Sequence, residues 1–325
     1  MELKGRALYN LLQISWQENR ALQVKPWQVE DWRKLTTKEL FHRLRALEID
    51  LDEERFGVFS EDSNSPEELL ECLCLEEDSE EKHERVYLLI FELWRRLCRD
   101  KQSLSIFCDE LDQLIEFYDR DALGDEEVVQ KALSNLEDIL DDNSDVEGSP
   151  QEVFAEIAKY CAHDLETFIY DYISDKLKED TATYASELID AFYQYVSNKT
   201  YFDFLRARLF VSSDTPEADI LYQRLLSQLE EEPDLELLLQ IVESLIHRGD
   251  ITLFRAAVKQ SLPHLSTEQE FQDLLEMAAE YYRCLDREHE EKAVLTLMQK
   301  RSHLSLQQKL DLADNALTHF SKLLI

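Results

Sequence analysis

The sequence predicts an all-α protein, an irregular α-solenoid-like array of antiparallel helical hairpins, about 15 helices in two helical subdomains. Three observations carry that reading. First, 325 residues contain only 5 Gly and 6 Pro. A sheet protein needs a turn about every ten residues, and such turns rely on Gly, Pro and Asn. Second, helix starts recur. A Ser or Thr stands three residues before Glu or Gln at Thr36/Glu39, Ser65/Glu68, Ser149/Glu152, Ser266/Gln269 and Ser305/Gln308, the pattern of a capping box. Pro66, Pro150 and Pro216 each follow a Ser or Thr, as expected of Pro at the first helical position. Third, apolar residues follow helical spacing between these starts.

Taken in order, residues 1–140 read as an N-terminal helical domain. Leu3, Ala7, Leu8, Leu11 and Leu12 form a first stripe, and Val86, Leu89, Ile90, Leu93 and Leu97 another. Charge is segregated here. Residues 1–47 hold nine Lys or Arg against five Asp or Glu, net +4. Residues 48–81 hold fifteen acids against Arg55 alone, net −14. The basic set Arg33, Lys34, Lys38, Arg43 and Arg45 is expected to dock on that acidic segment or to remain ordinary surface. Trp27 and Trp32 are expected to tether the N-terminal helices. Residues 141–150, DDNSDVEGSP, read as an acidic linker and the main division of the chain. Residues 151–325 read as a C-terminal helical-repeat-like domain. Its aromatic-dense stretch from Phe168 to Phe210 precedes paired helices with breaks at Pro233, Gly249, Pro263, Asp286 and Ser302. Leu235, Leu238, Leu239, Val242, Leu245 and Ile246 make one of its stripes. Units of about 34–40 residues suit tetratricopeptide and HEAT arrays, but no stretch keeps the small-residue and Pro offsets of a named repeat.

Composition excludes several function classes. The five glycines are isolated, so no phosphate loop, dinucleotide fingerprint or nucleophile elbow can be built. A formal charge of −35 repels phosphate, and no nucleic-acid binding is expected. The longest strongly apolar run, Val86 to Phe91, is too short to cross a bilayer, and no targeting segment is expected at the start. The six scattered cysteines read as reduced thiols in a cytoplasmic setting.

Metal and nucleophile patterns are weak. Asp141, Asn143, Asp145, Glu147 and Glu152 approach an EF-hand spacing, but Val146 stands where the sharp turn needs Gly. Cys72 and Cys74 fall on different sides of a helix, with no second Cys/His pair to answer them. Single Glu80-x-x-His83 and Asp286-x-x-His289 pairs are expected by chance among so many acids. Cys161 and His163, two apart on a presumed helix, do not form a dyad. No catalytic, cofactor-binding or metal-ligating residue is therefore assigned, and no cofactor.

What remains is a non-enzymatic interaction, scaffold or adaptor protein whose acidic helical surface binds a basic protein partner. Candidate contacts are Tyr170, Tyr184, Tyr193, Tyr195 and Tyr201, in a stretch read mainly as core, with Glu76, Glu77 and Asp78. An acidic chaperone or nucleic-acid mimic is the alternative. A helical metal-dependent enzyme, with His83, His163 or His247 beside carboxylates in a deep pocket, is the second. Relief of repulsion predicts stability rising from pH 7 toward about pH 5.5.

Overall fold

A computed structural model describes residues 2–74, 78–144, 148–178, 181–211, 216–248 and 250–324. Among them lie seventeen α-helices and three short 3₁₀ turns, against an expected fifteen or so helices. Among the short helices, Glu53–Glu61 has no start that the sequence singles out, whereas Pro66–Leu73 begins at the expected Ser65 cap. The only β pairing among the described residues is a single bridge, Thr267 to Lys309. Among the described residues, no helix is long and apolar enough to cross a membrane.

The chain forms two compact units. The first holds residues 1–169 and 194–196, the second residues 170–193 and 197–325. The division thus falls inside a helix and not at 141–150. There, one helix runs to Ser144 and the next begins at Pro150 within the same unit, while residues 145–147 lie outside the described set.

The first unit contains α1 (Ala7–Glu18), α2 (Thr37–Ala46), α3 (Glu53–Glu61), α4 (Pro66–Leu73), α5 (Glu80–Leu97), α6 (Leu104–Asp119), α7 (Glu127–Ser144), α8 (Pro150–Ala158) and the start of α9 (Leu165–Lys178). Its core is α5. All nine residues from Val86 to Trp94 are buried, because the run VYLLIFELW is apolar on every face, the signature of a helix packed on all sides. Helices α2 and α4 and the 3₁₀ turn Trp32–Lys34 pack on it. The one acid in that run, Glu92, is 3% exposed. Arg95 and Arg96 satisfy it, at 2.7 and 2.5 Å from Oε1.

In the second unit, α10 (Ala182–Phe192) precedes three hairpins. These are α11 (Lys199–Val211) with α12 (Pro216–Glu231), α13 (Leu235–Leu245) with α14 (Ile251–Ser261), and α15 (Glu268–Cys284) with α16 (Glu288–Arg301). Helix α17 (Asn315–Leu323) packs on α16. First helices stack on first helices, α11 on α13 on α15, and α12 stacks on α14, so this unit has the stacking of an α-solenoid. Starts at 199, 235 and 268 give steps of 36 and 33 residues. Aromatic pairs fill the seams, among them Phe204 with Tyr222 and the stacked pair Phe254 and Tyr281, whose ring centroids are 3.7 Å apart.

Helix ends explain how so few glycines suffice. Glu48, Asp121 and Asp286 have φ of 67, 53 and 55°, each one residue past the C-cap of a helix. At each, two backbone bonds close a Schellman motif, for example Glu48 N–H to the Arg45 carbonyl and Ile49 N–H to the Leu44 carbonyl. Acidic residues occupy the left-handed position usually given to Gly. Lys101 closes α3 differently, donating from Nζ to the carbonyls of Ser60, Glu61 and Ser63 at 2.7, 2.9 and 3.1 Å, a side-chain cap for carbonyls left without helical partners.

Most predicted caps form. Thr36 and Ser149 make full capping boxes, and Ser65 caps α4. Two readings need correction. The helix expected from Ser266 starts one residue later, capped by Thr267 with Glu270. No helix follows Ser305. Instead the Gln308 and Leu306 carbonyls accept the N–H groups of Glu268 and Gln269, so this segment is spent on the start of α15. The α1 stripe holds at Ala7 and at Leu12, which packs on the core, but not at Leu8 and Leu11. Leu8 and Leu11 are 43 and 39% exposed, and Arg6 and Tyr9 are buried in their place.

Candidate functional site: an acidic cleft

The sequence marks acids and tyrosines as contact residues, and the second unit brings the two together at the start of α13. Pro233 breaks the chain between α12 and α13, and Asp234 restarts it as the N-cap of α13, its Oδ1 accepting from Leu237 N–H at 3.1 Å. The other oxygen of Asp234 accepts from the Tyr201 hydroxyl at 2.9 Å. Burial, then the hydrogen bond to Asp234, push that phenol upward, so it stays protonated and donating. Tyr201 is braced by Tyr170, edge to face with centroids 5.2 Å apart. At Tyr201 and Asp234 opens a cleft of about 550 Å³, lined also by Asn198, Thr200, Gln228, Glu231 and Glu232. Glu231 and Glu232 are exposed. No Lys, Arg or His is among the described residues lining it. The buried Oε1 of Gln228 has no hydrogen-bond partner among the described residues.

The remaining predicted contacts divide. Tyr170 is buried and its hydroxyl donates to Gln240. Tyr195 is buried in the first unit, its hydroxyl on Asp141. Both serve as core. Tyr184 and Tyr193 are half-buried. Tyr193 donates to Asp203 at 2.9 Å, and Arg206 lies 3.9 Å over its ring. Glu76 and Glu77 lie outside the described residues. Asp78 holds Lys82 Nζ at 2.8 Å.

The basic N-terminal set does not dock as a group on residues 48–81. Arg33 reaches Asp109, Lys34 reaches Asp31 and Arg43 reaches Glu30. Among the described residues, Arg45, on Asp50 at 3.7 Å, joins the acidic segment, along with Lys25 on Glu81 at 2.8 Å.

Histidine beside carboxylates does occur in the first unit. Asp112, on α6, accepts from Ala162 N–H at 2.9 Å, from His163 N–H and Nδ1 at 3.1 Å each, and from Asn10 Nδ2 at 3.1 Å. Asn10 also donates to Asp109 at 3.0 Å, and Arg33 does so at 2.5 Å. Arg96 fixes the turn bearing Arg33 by donating to the carbonyls of Leu35 and Arg33 at 2.7 and 3.1 Å. These groups line a cavity of about 100 Å³, and the carboxylates already hold several donors each. The polar face of α1 supplies Arg6, Asn10 and Gln13 to it, which is why its leucines turn outward. Cys161 and His163 lie in a turn and not a helix. Cys161 hydrogen-bonds Cys108, and that contact, with burial, pushes its thiol upward.

Of the EF-hand candidates, Asp145 and Glu147 lie outside the described residues. The others are committed, Asp141 to Tyr195, Asn143 to the Ile139 carbonyl at 2.7 Å and Glu152 to the Ser149 N–H at 2.9 Å. One group of metal-ligand type does assemble. Cys74, Asp78 and His83, each half-buried, place one ligand atom apiece within 4.8 Å of one another. His83 therefore answers Cys74, which residue spacing did not reveal because the partner comes from the next helix. Compared with protein-family models, curated proteins and solved structures, the chain gives no match.

Proposed function

We propose that the protein is a non-enzymatic interaction protein whose second unit receives a Lys or Arg side chain of a basic partner in the cleft at Tyr201 and Asp234. One observation carries this reading. The cleft presents Glu231, Glu232 and Asp234 with no cation among its described lining residues. A guest ammonium or guanidinium meets carboxylates and the Tyr201 ring. The overall charge of −35 adds long-range steering toward a basic surface. The six thiols, all free, suit action in a reducing, cytoplasmic compartment.

Fluorescence anisotropy with a labelled Lys/Arg-rich peptide tests the reading. Binding is expected at low salt, weakening as salt rises. Glu231→Lys with Glu232→Lys should weaken it by at least about tenfold, equivalent to ~1.4 kcal/mol. Glu127→Lys, which changes the same kind of charge on α7 of the first unit, should have a much smaller effect. Equal losses from both changes would reduce the cleft to one part of a diffuse acidic field, and unchanged binding in the double variant would remove it.

A further inference from the structure

We propose that Cys74, Asp78 and His83 form a binding site for a zinc-class divalent cation with one coordination position left to water. The site is built where α4 ends and α5 begins. Cys74 is the C-cap of α4, its N–H held by the Leu70 carbonyl at 3.0 Å. Ser79 caps α5, and His83 sits in the first turn, its N–H on the Ser79 carbonyl at 3.0 Å. Packing of α4 on α5 brings these two ends together, so thiol, carboxylate and imidazole meet with ligand atoms no more than 4.8 Å apart. Around a tetrahedral zinc, with bonds of about 2.0–2.3 Å, ligand atoms lie about 3.5 Å apart. Side-chain rotation closes that gap.

The donor set decides the class of ion. Sulfur and imidazole nitrogen select zinc, cobalt and their neighbours over calcium and magnesium, which prefer oxygen alone. Three protein ligands leave a fourth position open, unlike the closed four-ligand sites that only hold a fold together. Lys82 binds Asp78 through Oδ1 at 2.8 Å, a contact that orients the carboxylate as outer partners of metal ligands do. On binding, the Cys74 S–H bond breaks, its proton passes to solvent and a sulfur–metal bond forms, with nothing oxidised or reduced. The acids of residues 48–81, net −14, concentrate cations locally.

The full chain, stripped with chelator, is titrated with zinc by calorimetry and with cobalt by absorption. One equivalent should bind, and cobalt should give a thiolate-to-metal charge-transfer band in the near ultraviolet. Cys74→Ser should abolish the band, and His83→Gln should weaken zinc by more than about tenfold. Cys72→Ser, a change at an exposed neighbour, should leave both readouts intact. Circular dichroism verifies that each variant keeps its helicity. Absence of the band in the native chain, its survival in Cys74→Ser, or its loss in Cys72→Ser would each overturn the site.

Discussion

Arg301 in the second unit stands between two carboxylates, whereas Asp109 and Asp112 in the first stand among donors drawn from three separate segments. The Arg301 cluster is closed. Its Nε and one terminal nitrogen grip both oxygens of Glu268 at 2.8 and 2.5 Å, and its other terminal nitrogen reaches Asp314 at 2.6 Å. Glu268 is held below the usual carboxylate range, burial being outweighed by Arg301 and Gln272. The Asp109/Asp112 cluster is distributed. Asn10, Arg33, Ala162 and His163 each contribute, and Arg6 approaches Asp109 at 3.8 Å. A buried charge must be compensated in either design. The difference is redundancy: one cation carries the whole load in the second unit, and several donors share it in the first.

The largest expected effect breaks the closed cluster. Arg301→Met leaves Glu268, 2% exposed, without the cation that grips both its oxygens, and should cost about 3–5 kcal/mol. Arg33→Met leaves Asp109 with Asn10 and Arg6, and should cost about 1–2 kcal/mol. Hydrogen exchange resolves the two units separately, since amides of α15 and α16 report the first change and those of α1 and α6 the second. Equal losses of protection would show that the donors at Asp109 do not substitute for one another.

How these clusters form marks what residue order reveals. Local features are legible: caps at Thr36, Ser65 and Ser149 form as read, because a cap is a contact between residues three apart. The apolar run of α5 announces a central helix for the same reason. Features that need a distant partner are hidden. The stripe of α1 points Leu8 and Leu11 outward because Asp109 and Asp112, about a hundred positions away, claim its polar face. Ser305 begins no helix because its segment pairs with residues 266–269. In the acidic cleft, Tyr201 is among the residues singled out by composition, but Glu231, Glu232 and Asp234 are not. They sit in a run of acids that looks like solvated surface until Pro233 folds it against α11.

A smaller effect sharpens the comparison through pH. Burial lowers the proton affinity of His163, but its hydrogen bond to Asp112 and the charges of Asp112, Asp119 and Glu116 outweigh that, and the net direction is upward. A group whose affinity for protons is raised by folding stabilises the folded state below its unfolded value, near 6.5. That contribution is lost as pH rises through the higher folded value. The first unit should therefore gain stability on going from alkaline toward mildly acidic pH, and His163→Gln should flatten this part of the profile. The Arg301 cluster, whose carboxylates are both shifted downward, should show no such dependence across the same window. Thermal melts of the native chain and His163→Gln across that range measure the difference, and identical slopes would exclude His163 as its source.

The smallest effect concerns the backbone at helix ends, where the units use the same device. Glu48 and Asp121 in the first and Asp286 in the second hold left-handed φ at Schellman ends. A side chain in that region strains against its own carbonyl by about 1 kcal/mol, and Gly relieves the strain while adding freedom to the unfolded chain. Asp tolerates the region better than Glu, because its shorter polar side chain can bond locally. Replacing Glu48 by Gly should therefore stabilise the protein by about 0.5–1 kcal/mol, and Asp121→Gly or Asp286→Gly by less. Denaturant midpoints rank the three. If Glu48→Gly destabilises, the exposed Glu48 side chain makes a contact worth more than the backbone strain it imposes, and acids at these ends are then chosen for charge and not merely tolerated in place of glycine.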